Sequence, residues 1–247
     1  ARDQDHLPDF DTDLKTFHFA QLFTRDRFVG GDRVGDNNRL TLAVTSRFHE
    51  RNTGIERVRL SMGQIYHYAD REVSLYGRGA DRRSDSLLAG EVYVQPHDLV
   101  EMRLSGLWDA RTRDTDQGRT QIGLHSRDYR YLFNVGHSYD NAGLEQADVN
   151  GVLPVGERIS LIGRWVYDMV EDRSVGLLGG IDYSTCCWSA QLVGQGYYTE
   201  DRELDNRLLF QIQLKGLGSG GSASAPLQAA IRGYEERDQV RWGRARD

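Results

Sequence analysis

The sequence predicts an all-β chain of about eleven long antiparallel strands in up-and-down order. Three observations carry that expectation. Apolar and polar residues alternate with a period of two over most of the length. Many alternating segments run to ten residues or more, longer than the common strand of about five or six. The connections alternate between tight turns and mostly longer polar loops. Composition agrees: 27 glycines, more Tyr than Phe and only four prolines suit strands and turns better than helices.

Taken in order, the alternating segments fall near 39–49, 55–68, 84–95, 99–111, 118–127, 129–139, 146–154, 157–171, 173–185, 187–199 and 205–217. In RISLIGRWVYDM (158–169), Ile159, Leu161, Gly163, Trp165, Tyr167 and Met169 share one face, and Ser160, Ile162, Arg164, Val166 and Asp168 share the other. In NRLLFQIQLKGL (206–217), Leu208, Phe210, Ile212 and Leu214 alternate with Arg207, Gln211, Gln213 and Lys215. Tight turns are expected near Arg51–Gly54, Pro96–Asp98, Arg127–Tyr129, Pro154–Glu157 and Ser184–Cys186. Longer loops are expected at 69–83, 112–117, 140–145 and 200–204, with a short exception at 170–173. In a meander, successive connections lie at opposite ends, so one end collects turns and the other loops. Residues 1–38 then belong to the loop end, and Cys186 and the end of the last strand near Leu217 to the turn end. GSGGSASAP (218–226) reads as flexible, and the charged tail 232–247 is assigned no structure.

A formal charge of −6 makes the chain as a whole a poor polyanion binder, and no nucleic-acid partner is expected. Its cations are almost all arginine; Lys15 and Lys215 are the only lysines. Mean hydropathy is −0.61, and no apolar run of about 18 residues is present, which excludes a membrane-spanning helix. It does not exclude a membrane barrel, whose alternating side chains keep mean hydropathy low. A strand crossing a bilayer at a tilt needs roughly 9–11 residues, as these segments have, although long soluble barrels give the same lengths. Arg57, Arg59, Glu101, Arg103 and Arg164 fit either a polar lumen or the wet face of a soluble sandwich. The opening ARDQDHLPDFDTD carries no signal peptide, which suits a cytosolic protein or a fragment without its N-terminus.

Motifs for chemistry are scarce. DFDTD (9–13) has acidic spacing that begins like a calcium loop, but Leu14 and Ala20 stand where Gly and Glu are needed. The seven histidines are scattered, with no HExxH or Cys–His zinc pattern. No nucleophile elbow, phosphate loop or dinucleotide fingerprint occurs. No catalytic residue, metal ligand or cofactor is nominated. The only two cysteines, Cys186 and Cys187, are adjacent, and adjacent cysteines close a strained ring with each other.

Five stretches carry a resemblance. LPDFDTD (7–13), LFTRDRFVGGDRVGDNNRLTLAVTSRF (22–48), ERVRLSMGQIYHY (56–68), YSTCCWS (183–189) and FQIQLKGL (210–217) stand in an order and spacing that resemble the C-terminal part of the LptD family. These are lipopolysaccharide-assembly proteins of Gram-negative outer membranes. The resemblance runs from about residue 5 to residue 238. It implies a transmembrane β-barrel segment: 1–38 as a long extracellular loop region, 39–217 as the C-terminal barrel strands, and 218–247 as a flexible periplasmic tail. It implies transport of lipopolysaccharide to the outer leaflet through a lateral gate, with no enzyme chemistry and no cofactor. The partners it implies are lipopolysaccharide, the lipoprotein plug LptE, a periplasmic bridge protein reached through a jellyroll outside this chain, and the barrel-assembly machinery. Family members pair their adjacent cysteines with two distant ones near the mature N-terminus, so Cys186 and Cys187 are expected to do so. Leu208, Phe210, Ile212 and Leu214 would lie on the last strand, one jamb of the gate. Arg57, Arg59, Glu101, Arg103 and Arg164 would line the lumen. The chain is expected to be an excerpt of a longer protein or the product of a truncated reading frame. The competing readings are another outer-membrane barrel, such as a porin or an outer-membrane hydrolase, and a soluble extended β-sheet binding module.

Overall fold

Alternation over eleven segments becomes eleven long strands in a computed structural model of the chain. The structure describes residues 13–14, 17–29, 34–35, 37–73, 82–198, 204–214, 218–221 and 224–242. A short pair, β1 (Asp13–Leu14) and β2 (Phe28–Val29), comes first, with a 3₁₀ turn at Phe19–Phe23 between them. The long strands follow: β3 (Arg39–His49), β4 (Glu56–His67), β5 (Leu88–His97), β6 (Val100–Asp109), β7 (Asp114–His125), β8 (Leu132–Asp140), β9 (Leu144–Val155), β10 (Ile159–Asp168), β11 (Arg173–Ser184), β12 (Trp188–Tyr198) and β13 (Leu204–Leu214). A short β14 (Gly218–Gly221) and two helices, α1 (Ser224–Ala230) and α2 (Tyr234–Trp242), complete the order. Strands β3 to β14 form one sheet in strict sequence order, so every neighbour is the next strand along the chain. The sheet is not closed.

The strands are 9 to 12 residues long, the span a tilted strand needs to cross hydrocarbon. Register locks the alternation. Across β8 to β13, Leu132, Val152, Ile162, Gly180, Val193 and Leu209 lie opposite one another in turn on one face. One rung away on the other face stand Leu153, Leu161, Ile181, Leu192 and Phe210. A slip of one residue would swap these two sets. Pro154 pairs with Ser160 of β10, beyond Leu132↔Val152 where the β8 pairing stops. Its missing N–H therefore takes no bond from the β8 ladder.

The chain divides into two compact units, residues 1–94 with 104–118, and residues 95–103 with 119–247. In the first, Leu22 of the 3₁₀ turn is fully buried against Ile65, Ala89 and Leu107. Thr41 donates to the carbonyl of Leu22 at 3.1 Å. Residues 17–29 thus lie partly in a core, where the sequence suggested a loop.

In the second unit the core forms between the sheet and the C-terminal helices. Leu227, Ile231 and Tyr234 bury themselves against Leu132, Val152, Ile162, Leu178 and Val193. Gly233 joins the helices at φ +82°, a conformation open to glycine, and a Cβ there would meet Leu132 Cδ2 at 3.0 Å. Glu235 and Glu236 sit in the first turn of α2, where the helix dipole favours negative charge. Within the stretch expected to be a flexible tail, residues 224–242 are thus folded against the sheet. Leu227 of α1, Ile231 of the link and Tyr234 of α2 give the segment a row of apolar side chains that a polar average hides.

Connection lengths differ from expectation as well. The links 110–113 and 141–143 have four and three residues, close to the three of 156–158 and 185–187 at the opposite strand ends, and 169–172 is short as expected. Polar residues at strand ends still pair, as Asp140↔Leu144 and Tyr139↔Glu145 do, so β7 and β9 extend into the stretches read as loops. Among the described connections only 68–87 is long. The expected loop at 200–204 lies outside the described residues except for Leu204, and the last-strand residues 215–217 lie outside them entirely.

Candidate functional site

Every long strand except β5 carries large exposed apolar side chains. In the first unit these include Leu40, Leu42, Val44 and Phe48 of β3 and Leu60 and Met62 of β4. In the second they include Leu153, Leu161, Trp165, Leu177, Ile181, Leu192 and the β13 set Leu208, Phe210, Ile212 and Leu214. Leu208 is 74% exposed. Exposed apolar surface on this scale marks a membrane or protein contact rather than a wet surface. Glycine, leucine and tryptophan alternate on this face within one strand because the residues between them point the other way.

The opposite face is polar and paired. Arg57 Nη2 reaches Glu50 Oε2 at 2.7 Å, and Arg57 is the extra residue of a bulge where Phe48 faces Val58 and His49 faces Glu56. Arg59 lies 3.4 Å from Glu91 and 3.5 Å from Glu56, with its guanidinium 5.4 Å from the Tyr93 ring centre. In the second unit Glu101 binds Arg232 at 2.8 Å, and Arg164 Nε binds Asp148 Oδ2 at 2.6 Å. Arg103 and Arg164 border one polar cavity. The five charges singled out in the sequence therefore all lie on the face opposite the exposed apolar one, two in the first unit and three in the second.

That face also receives the helices. Arg237, 5% exposed, donates from Nη2 to Asp182 Oδ2 at 3.0 Å and to Ser160 Oγ at 3.0 Å. Asp182 is fully buried. Gln191 Nε2 donates to Tyr234 Oη at 2.9 Å, and Asn134 Nδ2 to the Arg232 carbonyl at 3.1 Å. The strand residues that hold the helices sit toward the ends joined by the connections 98–99, 126–131, 156–158 and 185–187. Sequence reasoning missed Arg232 and Arg237 because it assigned no structure to their segment.

Cys186 and Cys187 occupy the last of those connections. Both are exposed, and their sulfurs lie near disulfide distance of each other. Thr185 closes the turn: its amide donates to the Trp188 carbonyl at 2.9 Å, and its hydroxyl accepts from the Trp188 amide at 3.2 Å. The sheet's final long strand, β13, is held on one side by β12 from Trp188↔Leu214 to Tyr198↔Leu204. On the other side β14 covers only Gln211 to Leu214. Among the described residues, Leu204 to Phe210 have no strand on that side. No group of three metal-ligating side chains occurs among the described residues, and no described helix is long and apolar enough to cross a membrane. Of the acidic triplet, Asp9 and Asp11 lie outside the described residues.

Long strands in meander order, apolar on one face and polar on the other, define the class: an up-and-down β-sheet of the barrel-wall type. Within that class the chain belongs to the LptD family. The family model described as "LPS transport system D" matches residues 1–165. The LPS-assembly protein LptD of Marinobacter nauticus is 55% identical over 245 residues, covering 99% of this chain and 31% of the relative. Those of Hahella chejuensis and Nitrosococcus oceani are 44% and 37% identical, covering 97% and 94% of this chain and 31% and 32% of the relatives. The chain thus spans about a third of the length of these relatives and corresponds to their C-terminal part.

Proposed function

We propose that this chain is the C-terminal wall of an outer-membrane barrel that delivers lipopolysaccharide to the outer leaflet. The observation that carries the reading is the exposed apolar face running over strands of bilayer-crossing length, in a chain whose relatives are named LPS-assembly proteins. Hydrocarbon covers that face. The polar face, with Arg57, Arg59, Glu101, Arg103 and Arg164, lines the lumen beside the lipoprotein plug LptE. The protein transports and does not catalyse. Its other partners are the periplasmic bridge protein, met through a jellyroll in the rest of the protein, and the barrel-assembly machinery.

The last strand is one jamb of a lateral gate. An unpaired edge is costly in hydrocarbon, so the open edge of β13 over Leu204–Phe210 calls for a further strand from the full-length protein. A short pairing there parts more readily than a full ladder. Leu208, Phe210, Ile212 and Leu214 then face the lipid that passes. Cys186 and Cys187, exposed at a turn, are placed to exchange onto two distant cysteines in an oxidising compartment.

The test is labelling from within the bilayer in the full-length parent. A photoactivatable lipid should label Leu161, Trp165, Phe210 and Ile212 and spare Ser160 and Arg164. Protection of the first four by a second protein sheet would end the transport reading. In the same parent, replacing Cys186 and Cys187 together by Ser should reduce lipopolysaccharide at the cell surface. Unchanged surface lipopolysaccharide would remove the cysteines from the mechanism.

A further inference from the structure

We propose that the C-terminal helices are a strap that pins the turn end of the last long strand, so that the gate parts from the strand's other end. The inference names how the gate of the transport reading moves, and rests on that reading for the gate itself. β13 is held unevenly along its length. Toward Leu214 it has strands on both sides, β12 throughout and β14 from Gln211↔Gly221 to Leu214↔Gly218. α1 begins three residues after β14 ends, so the stretch that borders β13 leads directly into the one that docks on the polar face.

The strap's hold is broad and fixed in place. Its apolar core takes in one residue from each strand from β8 to β12, and Leu209 of β13 packs against the same cluster. Gln211, next along that face of β13, is buried. Arg237 fixes the position: Ser160 of β10 and Asp182 of β11 face each other across the ladder, and its Nη2 donates to both, at 3.0 Å each. Arg232 extends the hold to Glu101 of β6 at 2.8 Å. To swing the Leu209–Leu214 half outward, the strap has to leave the wall. That exposes apolar surface and breaks a buried ion pair, both of which cost free energy.

The Leu204–Leu208 half lacks that backing. Among the described residues no strand borders it opposite β12, and Arg207 and Leu208 are exposed on opposite faces. Its described side-chain ties run to β12: Tyr197 donates to Asp205 Oδ2, and Arg207 lies 3.3 Å from the same oxygen. The two strand ends therefore move together. β12 is pliable there. On the apolar face Gly194 stands between Gly179 and Leu208, and Gly196 between Leu177 and Asn206. Toward the turn end the same face of β12 sets Leu192, Ala190 and Trp188 opposite Phe210, Ile212 and Leu214. Cross-strand side-chain pairs stabilise a sheet, and glycine supplies none. The hinge thus falls between Leu208 and Leu209. The half that parts is the one the transport reading puts toward the outer leaflet.

The experiment is hydrogen exchange on the full-length parent in detergent, beside an assay of lipopolysaccharide at the cell surface. Amides of Leu209–Leu214 should be at least about tenfold better protected than those of Leu204–Leu208. Removing 224–242 should abolish that contrast. The double variant Ile231→Asn/Arg237→Gln leaves every strand residue in place and should also reduce it, which covers the case of a truncated chain that fails to assemble. Gly194→Val puts a side chain opposite Leu208, at a position where a Cβ has its nearest neighbour at 3.8 Å. It should raise protection of Leu204–Leu208 and lower surface lipopolysaccharide, and unchanged protection in it overturns the hinge. Equal protection of the two halves, or a contrast that survives both strap variants, overturns the strap and leaves the transport reading standing if the parent delivers lipopolysaccharide. A strap-dependent contrast in a parent that delivers none overturns the transport reading and not the strap.

Discussion

The polar face of the sheet is covered in both units by a segment from outside the strand ladder, and the two covers are built differently. In the first unit a five-residue 3₁₀ turn buries one side chain fully, Leu22. In the second, two helices bury Leu227, Ile231 and Tyr234 and add a buried ion pair, Arg237–Asp182. The difference follows from what each segment can present. The short turn buries Leu22 with Phe19 half-buried beside it, while α1, the link after it and α2 each bury one apolar side chain in a row along the sheet. The first cover thus centres on one fully buried side chain with Phe17 and Phe19 packed beside it, and the second spreads its hold over several buried contacts of two kinds.

The sharpest way to break the comparison is at the ion pair. Arg237→Ala leaves Asp182 buried without that partner, and such losses cost about 3–5 kcal/mol. Hydrogen exchange on α2 in the full-length parent should rise toward that of an undocked helix. Unchanged protection would mean that the apolar stripe alone holds the helices. The next test sets Leu22→Ala beside Ile231→Ala, each expected to cost about 2–5 kcal/mol. Limited proteolysis should cut within 17–29 in the first variant. It should spare 224–242 in the second, where Leu227, Tyr234 and Arg237 remain. Equal cutting in both would erase the distinction drawn between the covers.

A smaller effect is expected at the joint between the helices. Gly233→Ala combines positive φ with a 3.0 Å approach to Leu132, and should cost about 1–3 kcal/mol. A drop in the melting temperature of α2 docking, followed by the amide of Arg237, checks it.

The smallest effect concerns a turn that neither cover touches. Asp128 accepts from the Ser126 hydroxyl at 2.5 Å and the Arg130 amide at 3.2 Å. The Ser126 bond first, then that amide, holds its carboxyl below the usual range despite partial desolvation. The folded pKa is depressed, so the contribution is present above the unfolded value near 3.9 and is lost as pH falls through the folded one. Protection of the Arg130 amide, its exchange rate taken relative to the intrinsic rate at each pH, should fall on acidification below about pH 4 and show no such fall in Asp128→Asn.

Much of the fold was legible. The alternation around Leu161 and Trp165, and again around Phe210 and Ile212, located strands and faces together, because a period of two admits one sheet face for each residue. Loop lengths were misread at 112–117 and 140–145, since polar residues at a strand end look the same whether they pair or not. Arg57, Arg59, Glu101, Arg103 and Arg164 were legible as residues of the polar face. The partners of Glu101 and the neighbours of Arg103 were not, because Arg232 lies in a segment more than a hundred residues away.

By itself the sequence determined the strands, their order and which side chains share a face, since local alternation and short connections leave few other meanders. Only the tertiary structure decided that residues 224–242 fold back onto the polar face and bring Arg232 and Arg237 to Glu101 and Asp182. A short polar helix gains its stability from the surface it docks on, and that surface exists only once five strands have each brought an apolar residue into the same patch.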